Sequence, residues 1–273
     1  MWRPIAPNED FRVSKSQPRL RMFAGPNGSG KSSLKAYLPP RLLGVYLNAD
    51  DIEHSVRLQG WIDLDAFGIV ASEQDIRLFF AQSRLVKNQG IEECVERLRY
   101  VDGKLDFGGI SMNSYWASVL VDYLRHRLLE QKISFTFETV MSHASKVEFL
   151  LAARIAGYRT YLYYVATEDP SINVSRVKSR VSLGGHDVPQ DKIVERYHRS
   201  LQLLEKAVAY SNRAYVFDSS KEAEDRQHAW VAEITEGVTI ELKTDKIPGW
   251  FQRALLDKAA PVAAYGPAKS NES

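Results

Sequence analysis

The chain has 273 residues, which suits one large α/β domain with insertions or two average domains. Hydrophobic residues make up 44% of it and charged residues 26%, a composition that is typical of globular proteins and excludes an acidic disordered chain. Lys and Arg number 36 and Asp and Glu number 34, so the net charge is +2. This near-balance argues against a generally basic nucleic-acid coat protein, and we expect no nucleic-acid partner.

Composition also restricts the compartment and the kinds of metal site. Cys94 is the single cysteine, which excludes an internal disulfide and argues against a Cys-based zinc site or an iron–sulfur cluster. The sequence has no stretch of about 20 apolar residues that could span a bilayer. The first 18 residues are polar and interrupted by prolines, unlike a secretory signal. We therefore expect a cytoplasmic protein without a membrane partner.

Six short apolar or aromatic runs predict β-strands. In chain order they cover residues 20–25, 44–49, 133–138, 161–166, 213–218 and 238–242. Helical periodicity lies between most of them, with apolar residues on one face over 116–128 and over 147–155. Strands that alternate with helices predict an α/β fold with a mostly parallel sheet covered by helices.

The spacing of these elements predicts one main domain over residues 19–257. Residues 1–18 are expected to form an N-terminal arm. Residues 258–273, rich in Ala, Pro, Gly, Ser and Asn, are expected to form a loose tail. Residues 51–132 are too many for a single crossover helix, so we expect a mostly helical insertion there, beside the carboxyl edge of the sheet.

The strongest motif follows the first predicted strand. Two glycines flank four residues and are followed by Lys and Ser, which is the pattern of a phosphate-binding loop (P-loop) between a strand and a helix. Glycines let backbone N–H groups turn inward around phosphates, and the helix N-terminus adds a partial positive charge. The predicted nucleotide-binding residues are Gly25, Pro26, Asn27, Gly28, Ser29, Gly30, Lys31, Ser32 and Ser33.

Two residues of the motif have specific chemical roles. Lys31 can reach the β- and γ-phosphates and is also a candidate catalytic residue, and the hydroxyl of Ser32 can ligate Mg²⁺. The motif predicts a P-loop NTPase fold, but it does not define the reaction.

The loop is also similar to that of transport-type ATPases, which work on transporters and DNA-repair machinery. Residues 182–186 (Ser-Leu-Gly-Gly-His) superficially match the Gly-rich signature of that class. In that class, an apolar strand that ends in Asp-Glu follows the signature. No such strand follows here, which weighs against a transport-type ATPase. An ABC-like ATPase that couples hydrolysis to nucleic-acid or partner binding is the alternative function.

Polar residues at strand ends indicate where a second substrate could react. Asp50 and Asp51 follow the second predicted strand, and the third ends at Glu138 and Thr139. Such strand ends face the ligand crevice, where a carboxylate can accept a proton from an attacking hydroxyl. We predict Asp50 as this base, whereas helix capping is favoured for Asp51. Glu138 and Thr139 could hydrogen-bond a substrate or water around Mg²⁺, and a simple N-cap is the alternative for Thr139.

A basic segment over residues 176–199 predicts a lid. Two helices joined by a Gly-Gly loop carry six Lys or Arg residues and three acidic ones. Arginines stabilise the charge that develops on a transferring phosphoryl group, and such a loop can close over a nucleotide. Arg180 and Arg196 are the predicted catalytic arginines, whereas a solvated surface role is an equal alternative for Arg176 and Arg199.

With these residues assembled, the chain resembles the zeta-toxin family of P-loop kinases, in particular the branch labelled ABC-type ATPases. The resemblance rests on the P-loop, on residues 47–52 (Leu-Asn-Ala-Asp-Asp-Ile), on residues 137–139 (Phe-Glu-Thr), and on residues 180–189 with 196–200. These pieces occur in the family order between residue 20 and about residue 220.

The resemblance implies a phosphotransferase that uses ATP or GTP with Mg²⁺ and phosphorylates a hydroxyl of a nucleotide sugar such as UDP-N-acetylglucosamine. It also implies a toxin that pairs with an antitoxin protein. Because the insertion lies where the acceptor would bind, another small-molecule acceptor remains open. The implied placements are Lys31 and Ser32 at the phosphates and metal, Asp50 as the base, Glu138 and Thr139 beside the sugar nucleotide, and Arg180 and Arg196 in the lid.

Overall fold

The computed structural model describes residues 17–90, 92–185, 187–221 and 228–258. The arm expected at residues 1–18 lies outside these ranges except for Gln17 and Pro18, and the tail expected at 258–273 lies outside them except for Lys258. Within these ranges, none of the helices has both the length and the apolar character needed to cross a bilayer.

The strands form one large sheet and one small sheet. In chain order they are β1 (Arg19–Ala24), β2 (Val45–Leu47), β3 (Trp61–Asp63), β4 (Arg99–Val101), β5 (Lys104–Asp106), β6 (Phe135–Thr139), β7 (Arg159–Ala166), β8 (Arg213–Asp218), β9 (Ala229–Thr235) and β10 (Thr239–Leu242).

The large sheet has the strand order β10-β9-β8-β7-β1-β6-β2. The strands from β2 to β8 in this order run parallel, and β9 and β10 add an antiparallel edge. All six predicted strands are present in it, within three residues of their predicted bounds. The predicted fold class, α/β with a large and mostly parallel sheet flanked by helices, is confirmed.

Helices connect most of these strands. The α-helices are α1 (Pro40–Leu43), α2 (Ala49–Gln59), α3 (Glu73–Gln82), α4 (Arg84–Gln89), α5 (Ser114–Glu130), α6 (Ala144–Ile155), α7 (Pro170–Ser182), α8 (Gln190–Gln202), α9 (Leu204–Ala209) and α10 (Gly249–Phe251). More tightly wound 3₁₀ helices span Lys31–Tyr37, Asp65–Phe67 and Glu92–Arg97, and a π-helical turn spans Gln252–Leu256. The helix expected directly after the P-loop is therefore a 3₁₀ helix.

The central position of β1 follows from its sequence. Leu20 and Met22 are fully buried on one face of the sheet, and Phe23 is fully buried on the other. Parallel strands that are covered on both faces require such near-continuous apolar runs. β1 pairs with β6 on one side and with β7 on the other.

The two faces of the sheet are covered unequally. On one face, residues such as Leu20, Phe135 and Leu162 join the main hydrophobic core with α5, α6 and α9. On the other face, the 3₁₀ helix after the P-loop covers a smaller cluster formed by Phe23, Leu34, Tyr163, Val165 and Phe217. The P-loop thus joins a deeply packed strand to a short helix on the thinner side of the sheet.

Residues 51–132, expected as a mostly helical insertion, contain helices and the small antiparallel sheet, in which β5 lies between β3 and β4. The small sheet was not predicted because each strand has only three residues and mixed polarity. The ring of Trp116 lies 5.8 Å from that of Phe80 and 6.4 Å from that of Phe107. These rings belong to the main core, so the insertion shares that core with the sheet.

The burial of the sheet predicts a large difference between two leucine substitutions. Leu162 is fully buried in β7, so Leu162→Ala should lower the free energy of unfolding by about 3 kcal/mol through lost burial and the cavity left behind. Leu183 is 88% exposed, so Leu183→Ala should change it by less than about 0.5 kcal/mol. Urea unfolding followed by circular dichroism measures both, and similar losses in the two variants would contradict the described core.

Candidate active site

The carboxyl ends of the five parallel strands meet at one edge of the large sheet. β1 leads into the P-loop, β2 is followed by Asn48 and Asp50, β6 ends at Glu138 and Thr139, and β8 ends at Asp218. The chain builds β2 and β6 on one side of β1 and then crosses to β7 on the other. In open α/β sheets, ligands bind where the strand order switches in this way. The P-loop lies at this switch point.

The P-loop glycines occupy positions that other residues would fill badly. Gly25, Gly28 and Gly30 have φ angles of 146°, 74° and 92°, in the region that favours glycine. A Cβ atom on Gly25 would clash with the carbonyl oxygen of Val165, and one on Gly28 would lie 2.6 Å from the backbone oxygen of Asn173. The loop is therefore packed directly against β7 and α7.

Asn173, near the start of α7, forms a hydrogen bond to the P-loop. This side chain is fully buried; its Nδ2 donates to the carbonyl of Asn27 at 2.5 Å and its Oδ1 accepts from the hydroxyl of Thr167. Sequence analysis missed Asn173, because nothing in its local pattern distinguishes it from other polar residues of a helix. A buried asparagine must be hydrogen-bonded, and here its partners are the loop and the end of β7.

Lys31 points back over the P-loop. Its Nζ donates to the carbonyl oxygen of Pro26 at 2.9 Å. Burial lowers the pKa of Lys31 to about 8, and the charge of Arg180 acts in the same direction. The carboxylates of Glu138 and Asp50 oppose this shift. These electrostatic effects show that the structure brings Lys31, Arg180, Glu138 and Asp50 together at the carboxyl edge.

Glu138 connects three elements of the site. One of its oxygens, Oε2, accepts a hydrogen bond from the hydroxyl of Ser32 at 3.1 Å, and the other, Oε1, accepts one from the hydroxyl of Tyr46. The carboxylate therefore bridges the P-loop and β2. Tyr46 was not a candidate in the sequence, where its position inside an apolar strand indicated only burial.

The two aspartates after β2 have different surroundings. The side chain of Asn48 caps α2 by accepting the backbone N–H groups of Asp50 at 2.9 Å and Asp51 at 3.3 Å, so neither aspartate is the cap. Asp51 lies 3.9 Å from Lys35 in an exposed ion pair. Asp50 is exposed in the first turn of α2, near enough to Lys31 to raise its pKa.

Thr139 is not the N-cap of the following helix. Its hydroxyl accepts the backbone N–H of Met141 at 3.1 Å, and the ring of His143 caps α6 by accepting the N–H of Ser145. Thr139 is half-buried beside Glu138 at the end of β6. The hydroxyl therefore helps to turn the chain out of β6.

Arg180 lies in the last turn of α7. Its backbone oxygen accepts the N–H groups of Leu183 at 3.1 Å and Gly185 at 3.0 Å, and Gly184 has a φ of 86°. The Gly-Gly pair thus ends the helix, a common use of glycine. This local role explains the similarity to a transport-ATPase signature at 182–186, of which residue 186 lies outside the described ranges.

The remaining arginines of the lid are placed differently. Arg176 donates to the hydroxyl of Ser219 at 3.0 Å, after the end of β8. Arg199 forms a 2.6 Å ion pair with Glu195 of its own helix, as a residue on a solvated helical face does.

Arg196 is half-buried on α8, one helical turn from the buried residues Ile193 and Ser200. Among the described residues it takes part in none of the ion pairs, and the charges that act on Lys31 do not include it. The structure brings Arg180, but not Arg196, to the P-loop lysine.

His228 is a further residue that sequence analysis missed. It directly precedes β9, and its Nε2 lies 3.1 Å from the carbonyl oxygen of Gly30 and 2.9 Å from the hydroxyl of Ser33. Burial lowers its pKa, which favours the neutral ring. An isolated histidine almost 200 residues from the P-loop carries no sequence signal for this contact.

The side chains present fit a nucleotide with a divalent cation. Within the P-loop, Ser29 Oγ and Asn27 Oδ1 are buried polar atoms without a hydrogen-bond partner, as expected of a cradle for a polar group. Ser32 and Glu138 supply the oxygen donors that Mg²⁺ prefers. The described residues contain no group of three His, Cys, Asp or Glu side chains able to hold a metal alone.

Part of the chain is similar to a known protein family. Residues 113–229 match the family model described as zeta toxin. The resemblance to zeta toxins is confirmed. The matched region contains β6, both lid helices and β8, whereas the P-loop and Asp50 lie before it.

One curated relative is an uncharacterized protein of Haemophilus influenzae, 32% identical over 74 residues. The match covers 27% of this chain and about half of the relative, 53% of its length.

The fold is also similar to solved structures. The crystal structure of the AvrRxo1-ORF1:AvrRxo1-ORF2 complex with sulphate ions superposes with a TM-score of 0.50 at 14% identity, over 85% of this chain and 63% of that one. The PezAT chromosomal toxin–antitoxin system of Streptococcus pneumoniae gives a TM-score of 0.46 at 14% identity, over 91% and 82%. At this identity the first similarity shows the fold.

The contacts of Asn173 predict that it stabilises the P-loop. Asn173→Ala removes the donor to Asn27 and the acceptor for Thr167 and leaves buried polar groups without partners, so the free energy of unfolding should fall by about 1–3 kcal/mol. Ser175→Ala, an exposed position on the same helix, should change it by less than about 0.5 kcal/mol. Denaturant unfolding measures both. If Asn173→Ala left the free energy of unfolding unchanged, the P-loop would not depend on the hydrogen bonds of Asn173.

Proposed function

We propose that the protein is a P-loop small-molecule kinase of the zeta-toxin type. One observation carries this proposal: the lysine of a complete P-loop lies among an arginine of the lid and two carboxylates at the carboxyl edge of the sheet. A P-loop alone indicates nucleotide binding. Asp50, a carboxylate in the exposed first turn of α2, is what favours phosphoryl transfer to a second substrate.

In this mechanism the backbone of residues 25–30 and the ammonium group of Lys31 hold the phosphates of ATP or GTP. Mg²⁺, when bound with the nucleotide, supplies charge neutralisation, and Ser32 and Glu138 are the side chains that would hold it. Arg180, and Arg196 once the lid closes, would stabilise the negative charge on the transferring group. Closure over residues 176–199 would also exclude water from the reaction.

Asp50 acts on the acceptor. Its carboxylate accepts the proton of the attacking hydroxyl while the new bond forms between that oxygen and the γ-phosphorus. The bond from the γ-phosphorus to the bridging oxygen breaks at the same time, and the nucleoside diphosphate leaves. The exposed position of Asp50 in the first turn of α2 suits a base that must reach a bound substrate.

We propose a nucleotide sugar such as UDP-N-acetylglucosamine as the acceptor, because residues 113–229 match the zeta-toxin model. Glu138 and Thr139 lie at the edge where such an acceptor would bind. The same match supports a toxin whose partner is an antitoxin protein. ATP and sugar nucleotides are metabolites of the cytoplasm, where we expect the protein to act.

The role of Asp50 predicts a separation of binding from transfer. Asp50→Asn should lower kcat by about 10²-fold or more while the Kd for ATP changes little, because the base acts in the transition state. Asp51→Asn is the matched control and should retain transfer, since Asp51 faces Lys35. Lys31→Met should lose nucleotide-dependent turnover. Product formation and ATP binding by calorimetry measure these effects, and undiminished transfer by Asp50→Asn would eliminate it as the base.

The acceptor is tested directly with γ-labelled ATP or GTP and a panel of UDP-sugars. We expect labelled product, with the mass of one added phosphoryl group, from UDP-N-acetylglucosamine or a related sugar nucleotide, and none with Lys31→Met. Transfer to none of the UDP-sugars would reject this acceptor class. ATP hydrolysis that nucleic acid or a protein partner stimulates, without a phosphorylated product, would instead support the ABC-like ATPase.

A further inference from the structure

Tyr46 is the middle residue of the three-residue strand β2, and its hydroxyl reaches Glu138 on the neighbouring strand. β2 is the edge strand of the large sheet, and its register pairs Tyr46 with Thr136, two residues before Glu138. Alternating strand residues point to the same face, so Tyr46 and Glu138 lie on one face of the sheet. The Tyr46 hydroxyl donates to Glu138 Oε1.

Two side chains, those of Lys35 and Phe23, contact the ring of Tyr46. The Nζ atom of Lys35, one turn after the P-loop, lies 3.6 Å from the ring centroid, and Lys35 in turn pairs with Asp51. The ring of Phe23 lies 6.3 Å away in a tilted arrangement. These contacts fix the direction of the hydroxyl, which a short edge strand alone would leave free.

Among the described residues, each oxygen of Glu138 accepts one hydrogen bond, Oε1 from Tyr46 and Oε2 from Ser32. A serine hydroxyl has one proton to donate and two lone pairs. Donation of the Ser32 proton to Glu138 leaves those lone pairs free to bind a cation. The direction in which they point depends on the rotation of the Glu138 carboxylate, and Tyr46 limits that rotation.

We propose that Tyr46 is a positioning residue for the divalent cation: its hydroxyl orients Glu138, and Glu138 orients Ser32. This inference rests on the proposed function, because it concerns the cation that would accompany the nucleotide. The tyrosine hydroxyl has one proton to donate, and the Glu138 carboxylate is an acceptor, which fixes the direction of this hydrogen bond. Partners that orient metal-binding side chains commonly change metal affinity by about 10–100-fold when they are removed.

The test removes the hydroxyl and keeps the ring. Tyr46→Phe should weaken Mn²⁺ binding, measured by electron paramagnetic resonance in the presence of a non-hydrolysable ATP analogue, by about 10-fold. The affinity for the analogue without metal should stay within about twofold, because the hydroxyl does not touch the P-loop backbone. The Mg²⁺ concentration that half-saturates turnover should rise in parallel with the Mn²⁺ Kd.

Tyr161→Phe is the matched control, since Tyr161 is half-buried on the same face of the sheet, on β7. It should leave Mn²⁺ affinity unchanged, and the thermal midpoints of both variants report any general loss of structure. Equal Mn²⁺ affinity in wild type and Tyr46→Phe would overturn the positioning role and leave the kinase proposal intact. Absence of nucleotide-dependent Mn²⁺ binding in the wild type would overturn both.

Discussion

The close approach of the P-loop to β7 and α7 is the constraint on which the site depends. A side chain at Gly25 would meet the carbonyl of Val165, and one at Gly28 would meet the backbone of Asn173. Because the loop packs closely against these neighbours, its turn is stabilised by packing and by the hydrogen bond from Asn173 to Asn27. The positions of Lys31 and Ser32 follow from that turn, and Ser32 in turn donates to Glu138 at the end of β6.

Much of the fold could be predicted from the sequence because the buried strands are apolar on both faces. The apolar and aromatic runs over residues 22–24 and 161–166 favour the interior of a covered sheet. β9 was missed although Val231, Ala232 and Ile234 are buried, because it directly follows a polar stretch and contains Glu233. The three-residue strands of the insertion contain too little pattern to be distinguished from turns.

In the candidate site, some residues could be predicted from a local motif, and others could not because only the tertiary structure brings them there. Residues 25–33 could be predicted as a nucleotide-binding loop from local spacing alone, because the motif itself carries the geometry. Asn173, Tyr46 and His228 were missed because each reaches its partner through tertiary contact alone: Asn173 and His228 contact the P-loop, and Tyr46 contacts Glu138. Tyr46 and Asn173 are residues of ordinary appearance in a strand and a helix. Only the strand order, which places β2 next to β6 and β7 next to β1, brings Tyr46 to Glu138 and Asn173 to the loop.

The charges at the carboxyl edge also constrain what can bind there. Lys31 and Arg180 favour phosphate, and the lowered pKa of Lys31 reflects the cost of holding its charge away from water. Glu138 and Asp50 would repel the same phosphates. A polyanionic nucleotide is therefore accommodated best together with a divalent cation, which turns the carboxylate–hydroxyl pair of Glu138 and Ser32 from an electrostatic cost into a set of oxygen donors. Asp50 stands in the exposed first turn of α2, outside the Ser32–Glu138 pair. In the proposed function, the two cations, Lys31 and Arg180, would act on the nucleotide. Glu138 would then hold the divalent cation, and Asp50 would accept the proton of the acceptor hydroxyl.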